Sequence, residues 1–328
     1  MKRLSILGAG SWGTALALAL SPRFDSIHLW VYEKDLAAKM HATRENQVFL
    51  PGFRLPDNVE FSTDIADSLN GAEFVLGVMP SHHARHVYAA ARPALHSGQT
   101  LVSATKGLEN GSLLRMTQVI QEVTGFPVAA LSGPTFAREV ARGEPTALVV
   151  ASEDSSLASR VQSAFSGPAF RLYTHPDAVG VEMGAALKNV IAIGAGVCAG
   201  LGLGSNSMAA LITRGLAEIT RLAVSLGGKP LTLAGLAGLG DLVLTCTGEL
   251  SRNRTVGMEL AKGRKLDDIV DNMRMVAEGV QTTYAAVDLA QRQRVEMPIT
   301  SQMDAIFRHG KAPRDAIRDL MDRTLKGE

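Results

Sequence analysis

The feature that most constrains this chain lies in its first twenty residues. Leu4-Ser5-Ile6-Leu7 is a short apolar run that reads as a buried strand, and glycines follow at Gly8, Gly10 and Gly13. Thr14 to Leu20 alternates alanine and leucine and reads as a helix. Strand, glycine-rich turn and helix form the context in which the G-x-G-x-x-G spacing points to a dinucleotide. Gly8 permits a tight turn, Gly10 lets the backbone approach a pyrophosphate, and Gly13 lets the helix pack close on the strand. The free N–H groups at the helix start, on the positive end of its dipole, then face the phosphates. The bland alternative is an ordinary glycine turn.

Further strands and helices alternate after this unit. Ile27 to Tyr32 is the second strand and ends at Glu33, twenty residues after Gly13. A carboxylate at that distance accepts hydrogen bonds from the ribose 2′-hydroxyl of NAD. Tyr32 is placed to stack on adenine, and Lys34 stands next to the carboxylate. Glu33 also suits the solvated start of a helix, where acids are favoured. Ala72 to Pro80, Thr100 to Ala104, Val128 to Ser132, Ala147 to Ala151 and Phe170 to Tyr173 read as further strands, with Ser81 capping a helix to about Arg92. Alternation of this kind predicts a doubly wound parallel sheet of the Rossmann type, in which ligands bind beyond the C-terminal strand ends. Gly8, Tyr32, Pro80, Lys106 and Gly133 all fall at such ends.

The pattern changes near His175-Pro176-Asp177. From there the periodicity is helical: Asp177 to about Val197 reads as one long helix and Met208 to Leu226 as another, with shorter helices to Lys326. The expected organisation is a dinucleotide-binding domain over residues 1–176 and an all-α domain over 177–328, to which the resemblance set out below gives the substrate and catalytic role. A chain of 328 residues fits about two domains, and 46% hydrophobic against 20% charged residues supports a sizeable core.

Composition also excludes some classes. A net charge of +1 offers no general attraction to nucleic acid or an anionic membrane. Cys198 and Cys246 lack C-x-x-C spacing, which argues against a metal site or disulfide framework and for reduced thiols. Met1-Lys2-Arg3 leads straight into the first strand with no apolar signal region. Val190 to Gly204 is the most apolar long stretch, but it carries five glycines and is shorter than the ~20 residues of a membrane span. The expectation is a cytoplasmic protein without membrane insertion.

Four places can carry chemistry. Lys106, in Ala104-Thr105-Lys106-Gly107, follows a strand end and would reach the mouth of a cofactor site, unless it is simply a surface lysine. Lys188 has Gly184, Ala185, Ile191 and Ala192 as its helical neighbours, a small apolar stripe. A lysine there either snorkels to solvent or is held with its charge partly desolvated, which lowers its pKa and suits it to proton transfer. Asp241, after Gly238-Leu239-Gly240, could pair with a lysine or cap a helix. Ser251 is a good N-cap, and a helix start beside Arg252 and Arg254 suits a phosphate.

Seven stretches together carry a resemblance. They are Gly8 to Gly13, Pro80 to His82, Ala104 to Glu109, Ser132 to Ala137, Lys188 to Gly196, Gly238 to Thr247 and Ser251 to Arg254. In this order they resemble the NAD(P)-dependent glycerol-3-phosphate dehydrogenases of the bacterial type, from the first strand to at least Ile317. The resemblance implies interconversion of sn-glycerol 3-phosphate and dihydroxyacetone phosphate with NAD or NADP, no metal, in a homodimer that supplies the glycerophospholipid backbone. It implies that Lys188 is the proton acceptor or donor, flanked by Lys106 and Asp241 and supported by Thr245 and Asn189. Gly133 and Thr135 would line the substrate pocket. Ser251, Arg252 and Asn253 would bind substrate, with Arg252 also reaching the cofactor. Ser11, Trp12, Ala137, Val276 and Glu278 would contact the cofactor.

One position departs from the family pattern. Bacterial members usually carry a small residue, then Arg or His, then Asp after the second strand; here the run is Val31-Tyr32-Glu33-Lys34. The basic residue that would meet an NADP 2′-phosphate is missing from its usual slot. Two rival readings share the plan. A 2- or 3-hydroxyacid dehydrogenase would also use Arg252, and substrate assays separate it. A dinucleotide-sensing regulator would need neither Lys188 nor Asp241.

Overall fold

The computed structural model describes residues 2–271, 273, 278–325 and 327. Two compact units divide the chain: Met1–Glu109 with Leu114–Glu182, and Asn110–Leu113 with Met183–Glu328. The division falls inside one helix, six residues beyond the 176/177 boundary expected from the loss of strand signal.

The first unit is a sheet wound on both faces. Its strands are β1 (Arg3–Leu7), β2 (Ser26–Trp30), β3 (Val59–Ser62), β4 (Phe74–Gly77), β5 (Thr100–Ser103), β6 (Val128–Ser132), β7 (Thr146–Ala151) and β8 (Phe170–His175), in the order β3-β2-β1-β4-β5-β6-β7-β8. The helices are α1 (Ser11–Leu20), α2 (Lys34–Thr43), α3 (Ile65–Leu69), α4 (Ala84–Ala91), α5 (Met116–Thr124), α6 (Ala137–Ala141) and α7 (Ser155–Phe165). The central strands are apolar throughout because helices cover both faces. Leu4 and Ile6 point into a core with Leu16, Leu36, Met40 and Phe165, whereas Leu7 and Val75 point into the opposite core with Leu69, Tyr88 and Ile120.

The doubly wound sheet and the following helical region are as the sequence led one to expect, with three refinements. From β3 to β6 the pairing is parallel, but β7 runs antiparallel to β6, and β8 is parallel to β7. The β6–β7 connection holds only the five-residue α6, and antiparallel neighbours need no crossover to the other end of the sheet. Strand β3 was missed; its alternating burial makes it a half-exposed edge. Ser81 does not cap α4: residues Ser81–His83 form a short 3₁₀ turn after Pro80, without a side-chain capping bond.

The second unit is helical. It contains the greater part of α8 (Ala178–Gly200), then α9 (Ser205–Ser225), α10 (Pro230–Leu233), α11 (Asp241–Thr247), α12 (Arg252–Ala261), α13 (Leu266–Asp271), α14 (Glu278–Gln293), α15 (Pro298–His309) and α16 (Pro313–Met321). Asp177 caps α8 by accepting the Gly180 N–H at 2.8 Å. At 23 residues α8 is longer than the apolar stretch suggested. By length and composition it could cross a membrane, yet 89% of its apolar window is buried within the protein. Long-range caps fix other helices. The buried Glu218 carboxylate on α9 accepts the Ile299 and Thr300 N–H groups at 2.6 and 3.2 Å, which satisfies the start of α15. Burial holds this carboxyl above its ordinary range.

Near the edge of the sheet, His28 on β2 is buried between Arg3 on β1 and Glu60 on β3, with its Nε2 3.0 Å from the Glu60 carboxylate. Burial, and then the Arg3 charge, lower its pKa from 6.5 despite Glu60 and Asp67. The folded chain therefore resists a proton that the unfolded chain accepts, so stability falls as pH drops below about 6.5. In urea titrations on either side of that pH, wild type should lose more stability than His28→Gln. Equal losses would remove His28 as the cause.

Candidate cofactor and catalytic sites

In the first unit, the β1–α1 turn has the geometry its spacing predicts. Gly8 has a φ of +122°, and a Cβ there would lie 2.3 Å from the Val78 carbonyl oxygen. A Cβ on Gly13 would lie 1.9 Å from the Gly8 oxygen, so only glycine lets α1 start against this turn. A Cβ on Gly10 would meet nothing within 4 Å. Gly10 is the N-cap of α1 and makes no side-chain capping bond, and Ser11 and Trp12 open the helix. The start of α1 thus offers backbone N–H groups at a helix terminus, the arrangement that binds anions.

The other positions of this unit fall as follows. Tyr32 is 75% exposed, with its ring edge-on to Trp30 at 6.0 Å. Glu33 is the exposed N-cap residue of α2, but its side chain makes no capping bond. The solvated helix start is one of the two readings of Glu33, and its carboxylate makes no capping hydrogen bond there. Lys106 follows β5, and its Nζ donates to the Gly133 carbonyl at 3.2 Å. Thr135 Oγ1 donates to the same carbonyl, also at 3.2 Å. Lys106, Gly133 and Thr135 are therefore brought together, and Ala137 begins α6 just beyond them. The loop carrying Lys106 is anchored at Glu109, which accepts the Nε and Nη2 N–H groups of Arg85, each at 2.9 Å. Reading residues singly missed that fork, since its partners are twenty-four positions apart.

In the second unit, Lys188 is 5% exposed in the middle of α8. It does not snorkel. Its Nζ donates to Asp241 Oδ1 at 2.6 Å and to Thr245 Oγ1 at 2.7 Å. Asp241 is fully buried and is the first residue of α11. It follows a π-helical turn, Leu236–Gly240, and pairs with the lysine rather than capping a helix. The small stripe around Lys188 has a packing purpose: a Cβ on Gly184 would lie 2.7 Å from the Ala237 carbonyl oxygen, so glycine admits the turn that presents Asp241. Thr245, which the resemblance implied as a support for Lys188, lies one helical turn after Asp241.

Ser251 caps α12 as expected, accepting the Arg254 N–H at 3.3 Å. Asn253 is clamped: its amide nitrogen donates to Asn189 Oδ1 at 3.0 Å, and its oxygen accepts the Gly279 N–H at 3.0 Å. Arg252 is exposed beside them, and Glu278 opens α14. Val276 lies outside the described residues. Cys246 is fully buried beside the Lys188–Asp241 pair, and burial pushes its thiol up to about 12, which leaves it a neutral packing group. A buried ammonium held by a carboxylate and a hydroxyl can exchange a proton with a neighbouring oxygen, provided its own orientation is fixed.

A glycine turn opening a doubly wound sheet, followed by a helical unit with this ammonium, defines the class of nicotinamide-dinucleotide-linked dehydrogenases. Comparison with known proteins narrows the class. Residues 3–158 match the family profile described as the NAD-dependent glycerol-3-phosphate dehydrogenase N-terminus, and residues 177–318 match the corresponding C-terminus. The chain is 58% identical to a glycerol-3-phosphate dehydrogenase [NAD(P)+] of Koribacter versatilis, over 98% of both chains. It is 51% identical to that of Geobacter sulfurreducens, over 100% of this chain and 99% of the relative. The crystal structure of glycerol-3-phosphate dehydrogenase from Coxiella burnetii superposes with a TM-score of 0.95 at 40% identity, covering 98% of this chain and 99% of that one. The chain belongs to the NAD-dependent glycerol-3-phosphate dehydrogenase family.

Proposed function

We propose that this chain interconverts sn-glycerol 3-phosphate and dihydroxyacetone phosphate by hydride transfer with NAD(H) or NADP(H), with Lys188 as its acid–base group. The observation that carries the reading is the buried Lys188 ammonium held by Asp241 and Thr245, in a chain of this family. The nicotinamide supplies or accepts the hydride. In reduction, the ketone carbon gains the hydride while Lys188 Nζ gives a proton to the carbonyl oxygen. In oxidation, the neutral amine takes the proton back from the hydroxyl. Asp241 and Thr245 keep Nζ aimed and carry no bond-making step themselves.

The remaining roles follow from chemistry and resemblance. Ser251, Arg252 and Asn253 bind the substrate phosphate, supported by the capped start of α12 and the clamped Asn253 amide. Lys106, Gly133 and Thr135 bind substrate, with Lys106 adding positive charge. Gly8, Gly10, Ser11, Trp12 and Gly13 hold the pyrophosphate. Tyr32 and Glu33 meet the adenosine, and Ala137, Arg252, Val276 and Glu278 complete the cofactor contacts. No group of three His, Cys, Asp or Glu side chains suited to a metal occurs among the described residues. The enzyme works in the cytoplasm as a homodimer and feeds glycerophospholipid synthesis.

Three substitutions test the assignments. Lys188→Ala should lower kcat by roughly 10²-fold or more, the scale for losing a positioned proton-transfer group, while NADH still binds. A variant with near-normal kcat would remove Lys188 from this role. Arg252→Lys should raise the KM for dihydroxyacetone phosphate well beyond any change for unphosphorylated dihydroxyacetone, because lysine cannot reproduce a bidentate contact. Equal effects on both substrates would mean that Arg252 does not read the phosphate.

The third concerns the coenzyme. The Glu33 carboxylate is exposed and not engaged in capping, so it is available to a ribose 2′-hydroxyl and repels a 2′-phosphate. The expected behaviour is use of both coenzymes, with NADH at least comparable to NADPH. Glu33→Ala should shift the kcat/KM ratio toward NADPH. A strong wild-type preference for NADPH that Glu33→Ala leaves unchanged would show that Glu33 points away from the ribose.

A further inference from the structure

The loop after α2 carries a buried side chain to which none of these roles has been given. α2 ends at Thr43, and Arg44 takes the left-handed conformation at φ 57°. The Arg44 guanidinium donates to the Pro56 and Val59 carbonyls, the latter at 2.7 Å, which pins the two ends of the loop together. Leu50 and Leu55 are buried in the first unit's core, and Phe49 and Phe53 pack against it. Inside this loop Asn46 is fully buried.

The Asn46 amide uses both of its donors and one acceptor position of its oxygen. Its nitrogen donates to the Ala9 carbonyl at 2.7 Å and to Thr14 Oγ1 at 2.9 Å, and its oxygen accepts the Phe49 N–H at 3.0 Å. Thr14 Oγ1 in turn donates to the Ala9 carbonyl at 3.4 Å. Ala9 is the residue between the first two glycines of the turn. Its carbonyl is drawn toward the protein interior by two buried donors.

That fixes the other end of the same peptide. No cis peptide occurs among the described residues, so the Ala9–Gly10 unit is trans, and its C=O and N–H point in opposite directions. With the Ala9 oxygen held toward Asn46, the Gly10 N–H faces away from it. A reversed peptide would strip the carbonyl of its partners and turn its oxygen outward. At an anion site this substitutes the negative end of a dipole for the positive end.

We propose that Asn46 is a positioning residue for the cofactor: it locks the Ala9–Gly10 peptide so that its N–H points to the dinucleotide pyrophosphate. The inference rests on the reading that the pyrophosphate lies at this turn. Asn46 itself touches no ligand atom. It acts by removing the alternative orientation of one peptide plane, so its loss should appear in cofactor affinity rather than in the chemical step.

The experiment measures NADH dissociation constants by fluorescence, with kcat at saturating NADH and thermal midpoints recorded alongside. Asn46→Leu keeps the branched arrangement of four side-chain heavy atoms and removes the amide's hydrogen bonds. It should raise the NADH Kd about tenfold or more, the scale of one charge-assisted hydrogen bond, while kcat and the KM for dihydroxyacetone phosphate change little. Leu50→Ala, in the same loop, controls for destabilisation and should leave the Kd near wild type at a comparable thermal loss. Should Asn46→Leu not fold, Thr14→Val removes the hydroxyl partner and should raise the Kd in the same direction. Ser11→Asp tests the underlying reading by placing a negative charge at the helix start. If Ser11→Asp binds NADH as well as wild type, the cofactor location is wrong. If Ser11→Asp weakens binding but the Asn46 and Thr14 variants match wild type or the Leu50→Ala control, the positioning role is overturned.

Discussion

The second unit depends on one interaction, the buried ion pair of Lys188 and Asp241. An ammonium in the middle of a buried helix is tolerated only when a charge of opposite sign and further hydrogen-bond partners meet it. Asp241 Oδ1 and Thr245 Oγ1 provide both within 2.7 Å. Removing one partner of such a buried pair costs about 3–5 kcal/mol. The local architecture serves to bring these groups together. Gly184 lets the Ala237 carbonyl come against α8, so the π turn can deliver Asp241 to the start of α11. The same dryness that makes the pair necessary also holds the Cys246 thiol neutral.

Close backbone approach recurs along α8. A Cβ on Gly257 would lie 1.9 Å from the Ile193 oxygen, and one on Gly196 would lie 2.0 Å from the Arg254 oxygen. α12 therefore rests directly on the backbone of α8. Its N-terminal residues, Ser251 to Asn253, keep a fixed distance from Lys188 because no side chain intervenes to adjust it. The Asn253–Asn189 bond ties the same two helices at the end where Ser251 to Asn253 lie. Positions set by backbone contact cannot relax by rotamer changes, which suits groups that must meet a reacting bond within a fraction of an ångström.

How much of this was legible in the sequence depends on the range of the forces involved. The β1 turn was readable because Gly8 and Gly13 answer local needs, and α8 because its periodicity extends over many turns. Ser251 could be recognised as a cap from its own residue type. Other features were hidden. Strand β3 is short and half exposed, so it gives almost no apolar run. The reversal at β7 depends on where a connection crosses, which composition does not record. Glu218 caps α15 from 81 residues away, and nothing near either segment announces it. The sequence narrowed Lys188 to two alternatives, snorkelling or capture, and only the tertiary position of Asp241 decides between them. Asn46 lies in a loop of unremarkable composition, and its importance follows from a partner 37 residues earlier.

The two units solve a common electrostatic problem by local means. With a net charge of +1, the chain has no general positive field to gather two phosphorylated ligands. Attraction therefore has to be built from short-range elements. On the roles proposed above, in the first unit it comes from the uncapped start of α1, where a glycine N-cap leaves the terminus without a competing side-chain oxygen. In the second, on the same proposal, it comes from Arg252 at the start of α12, where Ser251 satisfies one N–H and leaves the helix dipole in place. Helix termini and a planar guanidinium act over a few ångströms and favour anions of defined shape, whereas a diffuse basic surface would draw any polyanion. Selectivity among small anions then rests on the orientation of individual peptide groups and side-chain amides, which is why buried tethers such as Asn189 on Asn253 matter as much as the charges they accompany.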